Sequence, residues 1–245
     1  MKKIYFATGS MIVLVLSAFS ALAQTQSRDD VIKDIEAKRA ELAVLEQKVL
    51  AVADSDRSEF AAFLSQPKTG IIRLLPRETY DGNAKRALAI RGGGAYYSFV
   101  RKTHEYGYGS DIELAQENLS VGFAGADYGL LLNLGDVSLD QVANDHVATR
   151  ALLDYTPPVR EAEVRAEFRK LWQGIELSGF TFKGRIPAKV SNTYLLRSIS
   201  MDTSDTLVVF RVVRKDTDGS LILVYKVLKT FPKPKMERTP ITEGN

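Results

Sequence analysis

Cysteine is absent from all 245 residues. That excludes disulfides, a thiol nucleophile and any lipid anchor attached through cysteine. Histidine is nearly as scarce, with only two residues, His104 and His146. A zinc centre would need both plus a carboxylate such as Glu105 or Asp111. His104-Glu105 resembles the start of H-E-x-x-H, but Tyr108 stands where the second histidine belongs. No Gly-x-Ser-x-Gly elbow and no Walker Gly-Lys-Ser/Thr occurs. Clustered Lys/Arg is missing too, so nucleic acid is not an expected partner. After residue 23 no apolar run approaches the about 20 residues of a spanning helix. No metal or cofactor is expected.

What is present begins with an export leader. Lys2 and Lys3 precede the apolar run Met11–Ala18, and Ala21-Leu22-Ala23 offers a small-x-small cleavage site. Residues 1–23 are therefore expected to be a signal peptide cleaved after Ala23. The mature chain would be periplasmic or secreted, in a bacterial envelope, with no transmembrane segment. Loss of two lysines would take the net charge from +3 to +1. Without disulfides the mature chain must rely on its apolar core, and a chain of this length buries roughly 70% of its unfolded surface.

Residues 24–66 read as a helical arm. Ser27 supplies an N-cap, and Asp29/Lys33 and Asp34/Lys38 are spaced as i,i+4 pairs. Val31, Ile35, Leu42, Leu45, Val49 and Val52 follow a heptad seam, with Lys38 as its one polar intruder. The seam spans about three heptads, short for a coiled coil. It serves either the chain's own domain or self-association through residues 28–54. A second short helix is expected over 58–64.

From Gly70 the pattern changes to period two. The stretch 67–231 reads as one α+β domain, mainly antiparallel sheet, with about 8–10 strands in two groups. The texture of 111–115 and 119–134 predicts a meander with Gly125 at a hairpin tip. Helix signals return between the strand groups. Ser138-Leu-Asp-Gln141 is a capping box, with a break near Asn144, and Thr156-Pro157 predicts the start of a second helix. On that helix Val164, Phe168, Leu171, Trp172 and Ile175 share one face. Strands are expected over 177–183, 193–200, 206–214 and 220–229. The almost unbroken apolar run 207–213 predicts a central strand covered on both faces. Asp216-Thr-Asp218-Gly219-Ser220 reads as a hairpin turn rather than a calcium loop. Residues 232–245, rich in proline and charge, read as a disordered tail.

The candidate site is the stretch Arg91–Leu114. Gly92-Gly93-Gly94 lacks the strand-to-helix setting of a phosphate loop and predicts a turn before a strand. On that strand Tyr97 and Phe99 would share one face and Tyr96 the other. Continued extension would align His104, Tyr106 and Tyr108. Tyr96, Tyr97, His104, Tyr106 and Tyr108 are the candidate binding residues, since tyrosine joins a flat apolar body to a polar tip. Three functions follow. The first is a non-enzymatic binding or scaffolding protein for an unknown protein or envelope polymer. The second is an exported hydrolase using His104 or His146 with nearby carboxylates, with Glu105, Asp111 and Asp127 as candidates. The third is a lipid or small-ligand carrier.

Overall fold

Residues 193–230 carry three β-rich stretches joined by short polar turns, and these build the centre of the molecule. The computed structural model describes residues 27–107, 109–123, 125–142 and 145–238. The expected leader, and residues 239–245 of the expected tail, lie outside them. The described helices are α1 (Arg28–Leu50), α2 (Asp54–Glu59), α3 (Ala61–Leu64), α4 (Arg77–Tyr80), α5 (Val147–Asp154) and α6 (Glu161–Gln173). The first strands are β1 (Thr69–Leu74), β2 (Tyr96–Tyr97), β3 (Ile112–Ala115), β4 (Asn118–Ser120) and β5 (Asp127–Gly135). They are followed by β6 (Ile175–Leu177), β7 (Phe180–Phe182), β8 (Arg185–Pro187), β9 (Thr193–Ser200), β10 (Ser204–Lys215) and β11 (Leu221–Thr230). The chain divides into two compact units, Met1–Arg39 and Ala40–Asn245. Of the first unit, residues 28–39 are helical, and the Asp30 amide donates to the Ser27 hydroxyl just before the helix.

The second unit is α+β and its strand pairings are antiparallel. The main sheet has the order β1-β11-β10-β9-β5, and a smaller sheet the order β2-β3-β4-β8; β6 and β7 form a hairpin. Because side chains alternate along a strand, each strand of the main sheet sorts its residues between two cores. Val208, Phe210 and Val212 of β10 join Tyr194, Leu196, Leu223 and Tyr225 against the smaller sheet, from which Tyr97, Ile112 and Leu119 project, with Phe99 from just beyond β2. Leu207 and Val209 turn the other way. With Tyr128, Leu130, Leu195 and Ile199 they meet Leu152 of α5 and Val164 and Leu171 of α6. A third cluster, Ile71, Ile222 and Val224, is covered by Val52, Phe60, Phe63 and Leu64. The middle strand is therefore buried on both faces, as its apolar run requires. The space between the sheets is filled, with Phe99, Tyr194 and Phe210 at 2% exposure or less.

One charged group interrupts the helix-side core. Arg197 and Asp205 are 3% and 2% exposed. Arg197 Nε and Nη2 donate to the two Asp205 oxygens at 3.0 and 2.8 Å. Its Nη1 donates to the carbonyls of Leu152 at 2.6 Å and Tyr155 at 2.5 Å, where α5 ends. The Phe231 ring lies 3.8 Å from the guanidinium carbon. The buried cation thus has two carboxylate oxygens, two helix-end carbonyls that lack intrahelical partners, and an aromatic face.

Several sequence readings give way to tertiary contacts. Gly125 is not a hairpin tip, because β4 pairs with β3 and β8 whereas β5 pairs with β9, so the chain crosses between sheets there. The second helix starts at Glu161, not after Thr156; the Glu161 amide instead donates to the Glu237 carbonyl. That bond belongs to a docked segment. Residues 232–238, expected to begin a free tail, are held where the Asp202 amide donates to the Pro234 carbonyl and the Glu237 amide to the Val159 carbonyl. The helical arm is also divided. Leu42 and Leu45 are exposed at 40% and 55%, and Val31 and Ile35 are exposed as well. Val49 is half-buried, while Val52, beyond the helix, belongs to the core with Ile71. The end of α1 is fastened by the Glu46 carboxylate, which accepts the amides of Ala89 and Ile90.

Breaking a buried pair strands its partner charge, whereas an exposed pair contributes little. Arg197→Ala should therefore lose about 3–5 kcal/mol in urea unfolding. Arg160→Ala, which breaks the exposed Arg160–Glu163 pair, should lose less than about 1 kcal/mol.

Candidate functional site

The three glycines are a turn. Gly92, Gly93 and Gly94 take φ of 81°, 58° and 74°, a region L-residues rarely adopt. A Cβ on Gly93 would lie 2.6 Å from the Tyr80 carbonyl carbon, and one on Gly94 2.6 Å from Leu50 Cδ2. The turn closes where the Ala95 amide donates to the Gly92 carbonyl, just before β2. It needs glycine for close approach of backbone and core.

Beyond β2 the chain does not stay extended. The Lys102 amide donates to the Ser98 carbonyl and the Ser98 amide to the Thr103 carbonyl, which reverses the chain. The expected common face of His104 and Tyr106 is lost. His104 packs edge-on against Tyr97, with ring centroids 4.9 Å apart, and Tyr106 packs on Tyr96 at 4.5 Å. Tyr96, Tyr97 and Phe99 are buried and Tyr106 is half-buried; Tyr108 lies outside the described residues.

The acid–base candidates are dispersed. His104 Nε2 lies 2.8 Å from the Arg73 carbonyl, so that nitrogen carries the proton. Burial holds its pKa below the usual value, against the pull of that carbonyl bond. His146 precedes α5 and neighbours Phe180, with its Nδ1 buried and unpartnered. The two histidines thus sit against different cores. Glu105 is exposed and accepts from Arg91 at 3.0 Å. Asp111 is fully buried, and its carboxylate accepts the Phe99 amide at 2.7 Å. Burial pushes the Asp111 pKa up to about 6, opposed by hydrogen bonds from Ser198 and from the Phe99 amide. Among the described residues, no group of three His, Cys, Asp or Glu is placed to hold a metal, and no helix is long and apolar enough to cross a membrane.

The surface does contain a groove of about 980 Å³. On one side Tyr96, Tyr106 and Phe123 touch one another, with centroids 4.5 to 6.3 Å apart. On the α6 side are Phe168 and Trp172, the chain's single tryptophan, 53% exposed. Gly122, with φ of 85°, carries the chain from β4 toward β5 under Phe168; a Cβ there would lie 2.6 Å from the Asp127 carbonyl. At the floor, Glu113 Oε1 accepts from Tyr96 Oη at 2.6 Å and from Arg77 at 3.0 Å. The pKa of Tyr96 is raised, first by burial and then by that bond, so its hydroxyl stays protonated. Arg185 donates to the side-chain oxygen of Gln116 at 2.8 Å and has no carboxylate partner among the described residues.

A recess of about 380 Å³ shares Arg91, Tyr106 and Phe123 with the groove and also holds Arg101, Glu105 and Asp127. Asp127 is buried and accepts from Ser200 Oγ at 2.9 Å; burial raises its pKa, against that bond. The structure thus brings Tyr96, Tyr106, Glu105 and Asp127 to one region and leaves Tyr97, His104, Asp111 and His146 out of it. Phe123, Trp172, Glu113 and Arg185 were not legible as site residues. They come from four separated segments, and only the position of a lone tryptophan toward the end of an amphipathic helix offered a signal.

No protein-family model, curated protein or solved structure matches the chain.

Asp111 has a consequence for stability. Its carboxyl releases its proton near pH 4 when unfolded but near pH 6 when folded. Its stabilising contribution is complete below about pH 4 and is lost as pH rises through 6, to the extent of about 3 kcal/mol. Asp111→Asn should flatten the fall in thermal stability between about pH 4 and 7; an equal fall in both proteins would deny Asp111 this role.

Proposed function

We propose that the protein is an exported, non-enzymatic binding module whose contact surface is the groove between the Tyr96–Tyr106–Phe123 cluster and α6. Export rests on the leader pattern of residues 1–23. Binding rests on one observation above the others: Trp172, on a helix face whose Val164 and Leu171 are buried, stays half in solvent beside four further aromatic rings. A large apolar ring kept at the surface costs solvation that a bound partner would recover. Aromatic walls with a few fixed polar groups are the usual makeup of a recognition groove. The histidine version of a hydrolase gains nothing from side chains held in separate cores. A carboxylate version keeps one supporting feature, Glu105 and Asp127 in one recess with Asp127 raised in pKa. The space between the sheets, which a lipid carrier would use, is occupied by side chains.

Because the chain has one tryptophan, its fluorescence reports this groove alone. Solubilised envelope polymers should shift Trp172 emission to the blue and protect it from acrylamide, and Tyr106→Ala should weaken both effects about tenfold. Protection that survives Tyr106→Ala unchanged would place the contact elsewhere. If a polymer is instead cleaved, Asp127→Asn should abolish the cleavage while leaving binding intact.

We further propose that the exposed seam of α1 pairs with a second copy, forming a short coiled coil. Leu42 and Leu45 at the exposures given above support it. Light scattering should give a dimer mass for the full chain and a monomer mass for L42A/L45A. An equal mass in both would refute pairing through this seam.

A further inference from the structure

We propose that the groove takes the sugar rings of an uncharged glycan chain. This rests on the binding reading above and names its ligand class. Three features of the groove select that class.

The first is the shape of the aromatic side. A cage for a quaternary ammonium needs rings standing apart around an empty centre. Tyr96, Tyr106 and Phe123 instead touch each other, Tyr96 and Phe123 nearly perpendicular at 87°. They fill their own centre, and Tyr106 and Phe123, which cover the buried Tyr96, form its outer face. With Trp172 and Phe168, Tyr106 and Phe123 offer apolar faces to a flat ligand that has apolar faces of its own. A pyranose ring is such a ligand, since its C–H bonds cluster on its two faces and its hydroxyls project from its rim.

The second is the balance of charge. Arg77, Arg91 and Arg185 are matched by Glu78, Asp81 and Glu113 in the same lining, a formal sum of zero. An acidic polymer would meet three carboxylates, and a basic one three guanidinia. Nucleic acid would need a cationic stripe. An uncharged ligand pays neither penalty.

The third is the kind of hydrogen bonding left open. Each sugar hydroxyl both donates and accepts. Glu113 is pinned through Oε1 by Tyr96 and Arg77, and no described residue partners its Oε2. Arg185 is held in place by neutral oxygens only, those of Gln116 and Ala115. A fixed acceptor and a fixed donor fork thus line a groove whose walls are aromatic. A lipid tail would leave both unmet at a cost.

The test is a titration of the purified full chain, read by Trp172 emission and by calorimetry. The ligands are N-acetylglucosamine hexamer, cellohexaose, hexagalacturonate and a proline decapeptide. Saturable binding of either neutral hexamer, tighter than hexagalacturonate, is the expected result, and the two hexamers separate an amino sugar from a plain one. Trp172→Ala and Arg185→Gln should each weaken it about tenfold with the thermal midpoint unchanged, and Arg160→Ala should have no effect. Tighter binding of hexagalacturonate, or binding of the peptide alone, would overturn the glycan assignment while leaving the groove a binding site. No response to any of the four in calorimetry or in Trp172 emission would overturn both.

Discussion

The guanidinium of Arg197 is the contact on which the rest of the architecture leans. It is buried in the helix-side core, shares two hydrogen bonds with Asp205 and holds the carbonyls of Leu152 and Tyr155. Those carbonyls end α5, so the cation fixes where the chain leaves one helix and turns toward the next. Tyr155 extends the link, because its hydroxyl donates to Glu167 of α6 at 3.0 Å. One and five residues further along that helix, Phe168 and Trp172 reach the groove. A charge pair within the core thus sets the position of an aromatic wall at the surface. The same guanidinium lies over the ring of Phe231, which precedes the docked segment 232–238. Buried pairs of this kind add little net stability over apolar replacements; what this one does is specify position.

The sheets supply the other wall. Alternation along five strands assigns one set of side chains to the smaller sheet and the other to the helices. Tyr97 and Phe99 fall inside by this rule. Tyr96, one residue away, must face outward, where Tyr106 and Phe123 cover it. The glycine turn before β2 is what permits this, since Gly93 and Gly94 let β2 start close against Tyr80 and Leu50.

Much of the scaffold was legible wherever local chemistry decides. β9, β10 and β11 show in the sequence because their apolar periodicity and the polar turns between them are local signals. So does the capping box of Ser138 and Gln141, present in the 3₁₀ turn Leu139–Gln141. The failures fall where distant partners decide. The crossover at Gly125 depends on which sheet each flanking strand joins. The late start of α6 depends on Glu237, which lies 76 residues beyond Glu161 in sequence and whose carbonyl accepts from the Glu161 amide. His104 left its expected face because a turn at Lys102, with φ of 55°, reversed the chain. Of the groove, Tyr96 and Tyr106 could be named from sequence. Trp172, Phe123 and Arg185 could not, because only the tertiary fold makes them neighbours.

The central claim is that the buried cation positions α6, and with it the groove. Replacing Arg197 by Met together with Asp205 by Leu removes the clamp without stranding a charge. Acrylamide quenching of Trp172 in that double variant is the most direct test. The account predicts that the sheet signal in circular dichroism is kept while Trp172 quenching rises toward that of free tryptophan. Quenching unchanged from the natural protein, in a variant that has folded, would contradict it.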